Sequence, residues 1–197
     1  MGQAGMAFFG LGGAGMVKRR GFELYTAAVQ AARDPLYFIA LGVPDTLDGR
    51  FDLVGVFVAL LIRRLRALEA GGGSPASGYA QAVFDAMFAD MDFNLRELGV
   101  TDMTIGRRVR AMWEAFHGRA LAYEGPLDAG DADALAAALV RNVWRGADGV
   151  SVQAERLAGA VLAQDRHLAQ QGAEGFRAGQ VAFLPAGQAL MAVADGA

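Results

Sequence analysis

Between Phe84 and Tyr123 the chain reads FDAMFADMDFNLRELGVTDMTIGRRVRAMWEAFHGRALAY, with apolar residues at steps of three and four on both sides of a Gly99–Thr101–Asp102 corner. At roughly 100° per residue that spacing draws a stripe along a helix, whereas a half-buried strand needs strict alternation. Two such helices in succession must bury their stripes against further helices, so the expected fold class is all-α. On the first helix Phe84, Met87, Phe88, Met91, Leu95 and Leu98 form the stripe. Asp90, Asn94 and Glu97 fall on one flank and Asp85, Asp92 and Arg96 on the other, leaving Phe93 nearly opposite. Gly99 suits a left-handed cap, and Thr101 or Asp102 can cap the next helix. There Ile105, Val109, Met112, Trp113 and Phe116 are the expected buried face, with Arg107, Arg108, Arg110, Glu114 and Arg119 around the remainder.

An acid-bearing helix packed antiparallel to an arginine-bearing one predicts cross-helix ion pairs, because a carboxylate beside apolar positions needs a partner once it is partly buried. For any single residue the plainer expectation is a solvated face, with pairs worth about 0–1 kcal/mol each.

The second constraint is the run from Phe51 to Ile62, in which Leu53, Val54, Val56, Phe57, Val58, Leu60 and Leu61 surround a helix on every side. Such a helix is either the core of the domain or keeps one face for a ligand or partner. It is too short to cross a bilayer: Asp52 opens the run and Arg63-Arg64-X-Arg66 closes it. Thr46 or Asp48 is the expected cap of this helix, drawn from Gly49 to about Ala70, and Gly71 to Pro75 is the connection that follows.

Upstream, Met1–Val17 is apolar, holds six glycines and is followed by Lys18-Arg19-Arg20. A secretory signal wants its positive charge first, so residues 1–21 are read as a tail. The sharper reading is an interfacial foot, with Phe8, Phe9 and Leu11 among headgroups and the basic triplet against anionic lipid. The folded domain, residues 22–197, then begins with a helix faced by Phe22, Tyr25, Ala28, Val29 and Ala32, and Pro35 opens a short second helix. Beyond Tyr123, Gly125-Pro126 and Asp128–Gly130 read as a break. Helices are expected over Asp131–Arg145 and from about Val152 to Gln171, before a tail whose short apolar run, Val181–Leu184, lies extended across the bundle. The expectation is one domain of six to seven helices with an extended C-terminal tail.

Composition removes several chemistries. The chain has no cysteine, which excludes thiol catalysis, disulfides and cysteine-ligated metal. Its net charge of −3 gives no footprint for nucleic acid. There is no P-loop, no dinucleotide fingerprint after a strand, no HExxH and no glycine-flanked elbow serine. Asp90 and Asp92 stand about 160° apart around a helix and make no shared cation site. His117 and His167, the only histidines, are read as solvated or capping. No catalytic residue, metal or cofactor is expected. At 54% the hydrophobic fraction is high, consistent with an apolar surface offered to a partner.

Three blocks, LGVPDTLDGRFDLVGV at 41–56, ADMDFNLRELGVTDMTIGRRVRAM at 89–112 and FHGRALAY at 116–123, resemble the signature stretches of the ubiquinol–cytochrome c chaperone family, helical assembly factors of the cytochrome bc1 complex. The likeness runs from about Tyr37 to about Trp144. The family's GRF block falls on Gly49, Arg50 and Phe51, its acidic–arginine block on Asp90, Asp92, Asn94, Leu95, Arg96, Glu97 and Gly99, and its GR pair on Gly118 and Arg119. The resemblance implies a non-enzymatic factor that binds newly made cytochrome b, or another bc1 assembly component, near the membrane. In mitochondrial members a small partner protein and the ribosome's exit region also take part. With no long targeting region, the expectation here is a bacterial member in the cytoplasm, peripheral to the inner membrane. Arg50, Phe51, Asp90, Asp92, Phe93, Arg96, Glu97, Arg107, Arg108 and Arg119 are then the candidate client-binding or scaffold residues. The competing class is a lipid-, quinone- or isoprenoid-handling helical protein or enzyme with an apolar pocket between helices.

Overall fold

The computed structural model describes residues 7–71, 78–97 and 99–191; the side chains of residues 7–12 and of Asp102 lie outside the description. The Gly72–Pro75 part of the connection, Leu98 of the stripe, and the placement of Phe8, Phe9 and Leu11 therefore fall outside the described residues. Among those described there are nine helices and no strand. Seven of them precede the tail, and two short ones lie within it.

Helix α3 (Leu47–Ala70) is the hub, packed against α1 (Ala7–Ala32), α4 (Tyr79–Glu97), α5 (Asp102–Ala129) and α7 (Ser151–Gln170). Its all-round apolar sequence is explained by this placement, because Leu53 to Val58 and Leu60 to Ile62 are all buried. Thr46 caps it as expected, its hydroxyl accepting from the Gly49 N–H at 3.1 Å. Gly49 is required here: a Cβ at this position would run into the carbonyl of Pro44. Gly49→Ala is therefore expected to lower stability by about 1–3 kcal/mol, the usual cost of an atom forced into packed structure. A thermal melt within 2 °C of wild type would show that the Pro44 turn gives way freely.

The helix expected to begin at Phe22 already runs from Ala7, continuous through the glycine-rich stretch. Leu24, Tyr25, Ala28 and Ala32 are its core residues, while Phe22 is exposed. Gly21 sets the approach of α1 to α4, since a Cβ there would meet the backbone of Ala82. Asp34 caps α2 (Pro35–Ile39), accepting from Leu36 N–H.

Gly99 takes the left-handed conformation expected of it, at φ 77°. The Gly125–Pro126 pair does not break α5, contrary to the sequence reading. Pro126 lies in the last turn, where the missing donor costs only one intrahelical bond near the end. The helix stops instead at Gly130, φ 64°, and Asp131 donates back to the Pro126 carbonyl at 2.9 Å. Helix α6 (Ala132–Asn142) is also shorter than expected, because the chain turns through Arg145 at φ 55°.

The tail is only partly extended. It contains α8 (Ala173–Arg177) and α9 (Ala186–Met191), with an extended strap of residues 180–185 between them. A glutamine of α7, Gln164, and the residue that caps its end, Gln171, hold the strap. Gln164, fully buried, donates to the Leu184 carbonyl and accepts from the Leu184 N–H at 2.8 and 2.9 Å. Gln171 does the same for Ala182 at 2.6 and 2.9 Å. The strap thereby carries Phe183 to 5.5 Å from the Phe57 ring.

Candidate functional site

The N-terminal half of α3 does not close against its neighbours completely. A cleft of about 570 Å³ remains between it, α1, α4 and α5, with Arg145 reaching in from the turn after α6. Apolar side chains, among them Phe51, Val54, Met91, Leu95 and Met112, make its floor.

The polar groups of the cleft are largely committed to one another. The Asp52 side chain is only 1% exposed and takes Arg119 Nη1 at 2.5 Å and Arg145 Nη2 at 3.4 Å. Burial pushes the Asp52 carboxyl up, and the two guanidinium groups offset only part of that rise. Arg119 also lies over the Phe51 ring at 5.8 Å, and Arg145 reaches Asp48 at 3.1 Å. Across the cleft Tyr25 donates to Asp90 Oδ2 at 2.7 Å, and its own burial, followed by that bond, raises the phenol pKa. Each carboxylate lining the cleft thus has a partner, which leaves no acid–base pair free for catalysis. Among the described residues no group of three His, Asp or Glu is placed to hold a metal ion.

Five of the ten candidate residues, Arg50, Phe51, Asp90, Arg108 and Arg119, line this cleft. Asp92, Phe93, Arg96, Glu97 and Arg107 do not. Asp92 pairs with Arg96 one turn along α4 at 2.7 Å, and Arg110 likewise with Glu114 on α5 at 3.1 Å. Several ion pairs that tie separate elements meet on α3: Asp52 with Arg119, and Arg63 with Asp128 and Asp165 at 2.6 and 3.2 Å. Tyr25, Arg33, Asp52 and Arg145 were missed as site residues. For Asp52 a signal existed, since a carboxylate inside the run FDLVGVFV has to be buried with a cation.

Outside the cleft, α5 is unusual for its length. Of its 28 residues only Ile105, Phe116, Tyr123 and Leu127 are buried hydrophobics. Trp113, expected in the core, is 44% exposed, with Met103 at 95%, Leu121 at 65% and Phe93 of α4 at 60%. Trp113 stands against His117 at 4.4 Å, and Phe84 against the same imidazole at 5.7 Å. The stripe on α5 is therefore split: its inner residues are buried, while Met103, Trp113 and Leu121 stay exposed with Arg107, Arg110 and Glu114 among them.

An ion-paired cleft beside a helix that keeps large apolar side chains exposed defines a helical domain of the binding type. The family model for the ubiquinol–cytochrome c chaperone matches residues 40–183, and the chain belongs to that family. Among solved structures it is similar to the Cbp3 homolog from Brucella abortus, with a TM-score of 0.77 and 31% identity, covering 89% of this chain and 94% of that one. No curated protein matches it. The protein is a non-enzymatic assembly chaperone.

Proposed function

We propose that the protein receives newly made cytochrome b during assembly of the cytochrome bc1 complex, working from the cytoplasmic surface of the inner membrane. The observation that carries this reading is the exposure of large apolar side chains, Met103, Trp113 and Leu121 on α5 and Phe93 on α4. Exposed aromatic and methionine side chains suit a client whose own surface is apolar, because they repack at low cost. No helix of the described residues is long and apolar enough to cross a membrane, which fits a peripheral mode of contact.

Arg107, Asp92, Arg96 and Glu97, which lie outside the cleft, act on client loops or on the shape of the receiving surface. Arg50 and Arg119 serve the scaffold beneath it. Client capture places the hydrophobic term on Trp113 and Leu121 and the orienting term on the charged border.

A photo-crosslinking residue at Trp113 or Leu121 is expected to capture cytochrome b from respiring cells, while the same group at Glu155, on the exposed side of α7, captures none. Trp113→Asp combined with Leu121→Asp is expected to lower recovered cytochrome b at least tenfold, with the melting temperature held because both positions are exposed. Equal crosslinking from both faces, or full bc1 assembly in the double variant, would end this reading.

A further inference from the structure

The cleft carries a charge pattern that client capture on the exposed apolar residues of α5 does not use. Its lining has five arginines, at positions 33, 50, 108, 119 and 145, against three aspartates, at 48, 52 and 90. Arg119 and Arg145 are held by Asp52 and Asp48, and Arg50 turns away to Asp45 at 2.5 Å. Asp90 is held by the Tyr25 hydroxyl. What remains is Arg33, just past the end of α1, and Arg108 on the α5 wall, both exposed, and neither in an ion pair among the described residues.

We propose that this cleft binds a single-chain lipid anion, with its chain on the floor made by Phe51, Val54, Met91, Leu95 and Met112 and its head group between Arg33 and Arg108. A volume of about 570 Å³ lies in the range of small-ligand sites. Apolar lining with a few convergent polar groups is the usual make-up of such a site. A client helix needs an elongated groove with anchors at successive turns, whereas a cleft of about 570 Å³ matches a small ligand. The arginines suit an anionic head because a guanidinium presents a planar fork to either a carboxylate or a phosphate. The ion pairs of Asp52 and Asp48 fix the inner end of the cleft, so that an entering chain meets apolar floor and no unsatisfied charge.

A free fatty carboxylate and a lysophosphatidate share this chemistry, and calorimetric titration of the purified full chain separates them. Straight-chain carboxylates from octanoate upward are expected to bind one to one, tightening roughly fourfold per added methylene until the cleft is full. Laurate is expected to bind at least tenfold tighter than dodecanol, with the difference shrinking as salt is raised, because both arginines are exposed. Lauroyl lysophosphatidate is titrated in parallel, and the tighter of the two anions identifies the source. Arg33→Gln with Arg108→Gln is expected to bring the anion down to the level of the alcohol without weakening the alcohol, and to leave the thermal melt unchanged.

Equal affinity for laurate and dodecanol in the wild type would overturn the proposal. So would an unchanged preference in the double variant, or binding that appears only with phosphatidylglycerol vesicles or only with an acidic amphipathic peptide. Loss of lipid binding with cytochrome b recovery intact supports the cleft as a separate site, whereas the variants at Trp113 and Leu121 test client capture alone.

Discussion

Arg119→Ala is expected to destabilise the protein by about 3–5 kcal/mol at neutral pH, read as a shift of the denaturant midpoint at constant slope. The reason is the partner it abandons. Asp52 sits on the hub helix among Leu53, Val54 and Val56, shielded from water, and Arg119 makes its shorter contact at 2.5 Å. Arg145 alone, at 3.4 Å and shared with Asp48, cannot replace that charge. The variant also loses the guanidinium over Phe51.

The two sides of the pair are unequal. Asp52→Asn leaves two arginines that have access to water, so its expected cost is about 1 kcal/mol. The double variant should recover most of the Arg119→Ala loss, which a thermodynamic cycle measures directly. The pH dependence has a definite sign. The folded-state pKa of Asp52 is raised, with burial the largest cause, so the stability associated with its protonation is fully present below the unfolded pKa. It is lost as pH rises through the folded pKa. Removing Arg119 takes away the larger charge that opposes burial and moves that pKa further up. The deficit of Arg119→Ala is therefore expected to be smaller at pH 5 than at pH 8. A deficit below 1 kcal/mol at every pH would mean that water reaches Asp52.

Phe57→Ala is the second large effect, with an expected loss of about 3–5 kcal/mol. Phe57 is buried on α3, edge-on to Tyr37 of α2 at 5.6 Å and beside Phe183 of the strap at 5.5 Å. Removing the ring opens a void bounded by three separate parts of the chain, which cannot all collapse into it. Phe57→Leu keeps much of the volume and is expected to cost less than half as much. Coupling between Phe57→Ala and Phe183→Ala of about 0.5–1.5 kcal/mol would show that the two rings act together. Chemical denaturation of the four proteins in the cycle reads both quantities, and additive losses would assign Phe57 a purely local role.

Much of the helical layout was legible because it rests on local rules. The three-and-four spacing of α4, the Thr46 cap, Pro35 at the start of α2 and the left-handed Gly99 each follow from backbone chemistry that needs no tertiary information. The all-round apolar α3 was legible as a core helix or one with a face kept for a ligand, and it is the hub while Phe51 and Val54 also line the cleft. What periodicity could not supply was which part of a stripe the neighbours cover. Trp113 follows the helical spacing of α5, yet it stays 44% exposed at the flank, because α3, α4 and α6 cover chiefly the face of Ile105, Phe116 and Tyr123. Pro126 shows the converse limit, since a breaker near a helix end is tolerated when Leu127 anchors the last turn in the core. The cleft was half legible. Arg50, Phe51, Asp90, Arg108 and Arg119 came from the family blocks, but Tyr25, Arg33 and Arg145 lie far away in sequence. Their relation to Asp52 and Asp90 exists only after the helices have packed.

The strap held by Gln164 and Gln171 has a consequence for how the molecule is made. Each glutamine amide offers one donor and one acceptor to a single residue of the strap, imitating the edge of a sheet where none exists. The hub helix is thus among the first long segments to leave the ribosome, while the ring that seals Phe57 is supplied more than a hundred residues later. Until that ring arrives, the nascent bundle carries an open seam along α3 and α7. A folding factor built this way is itself, for the last part of its synthesis, an unfinished client.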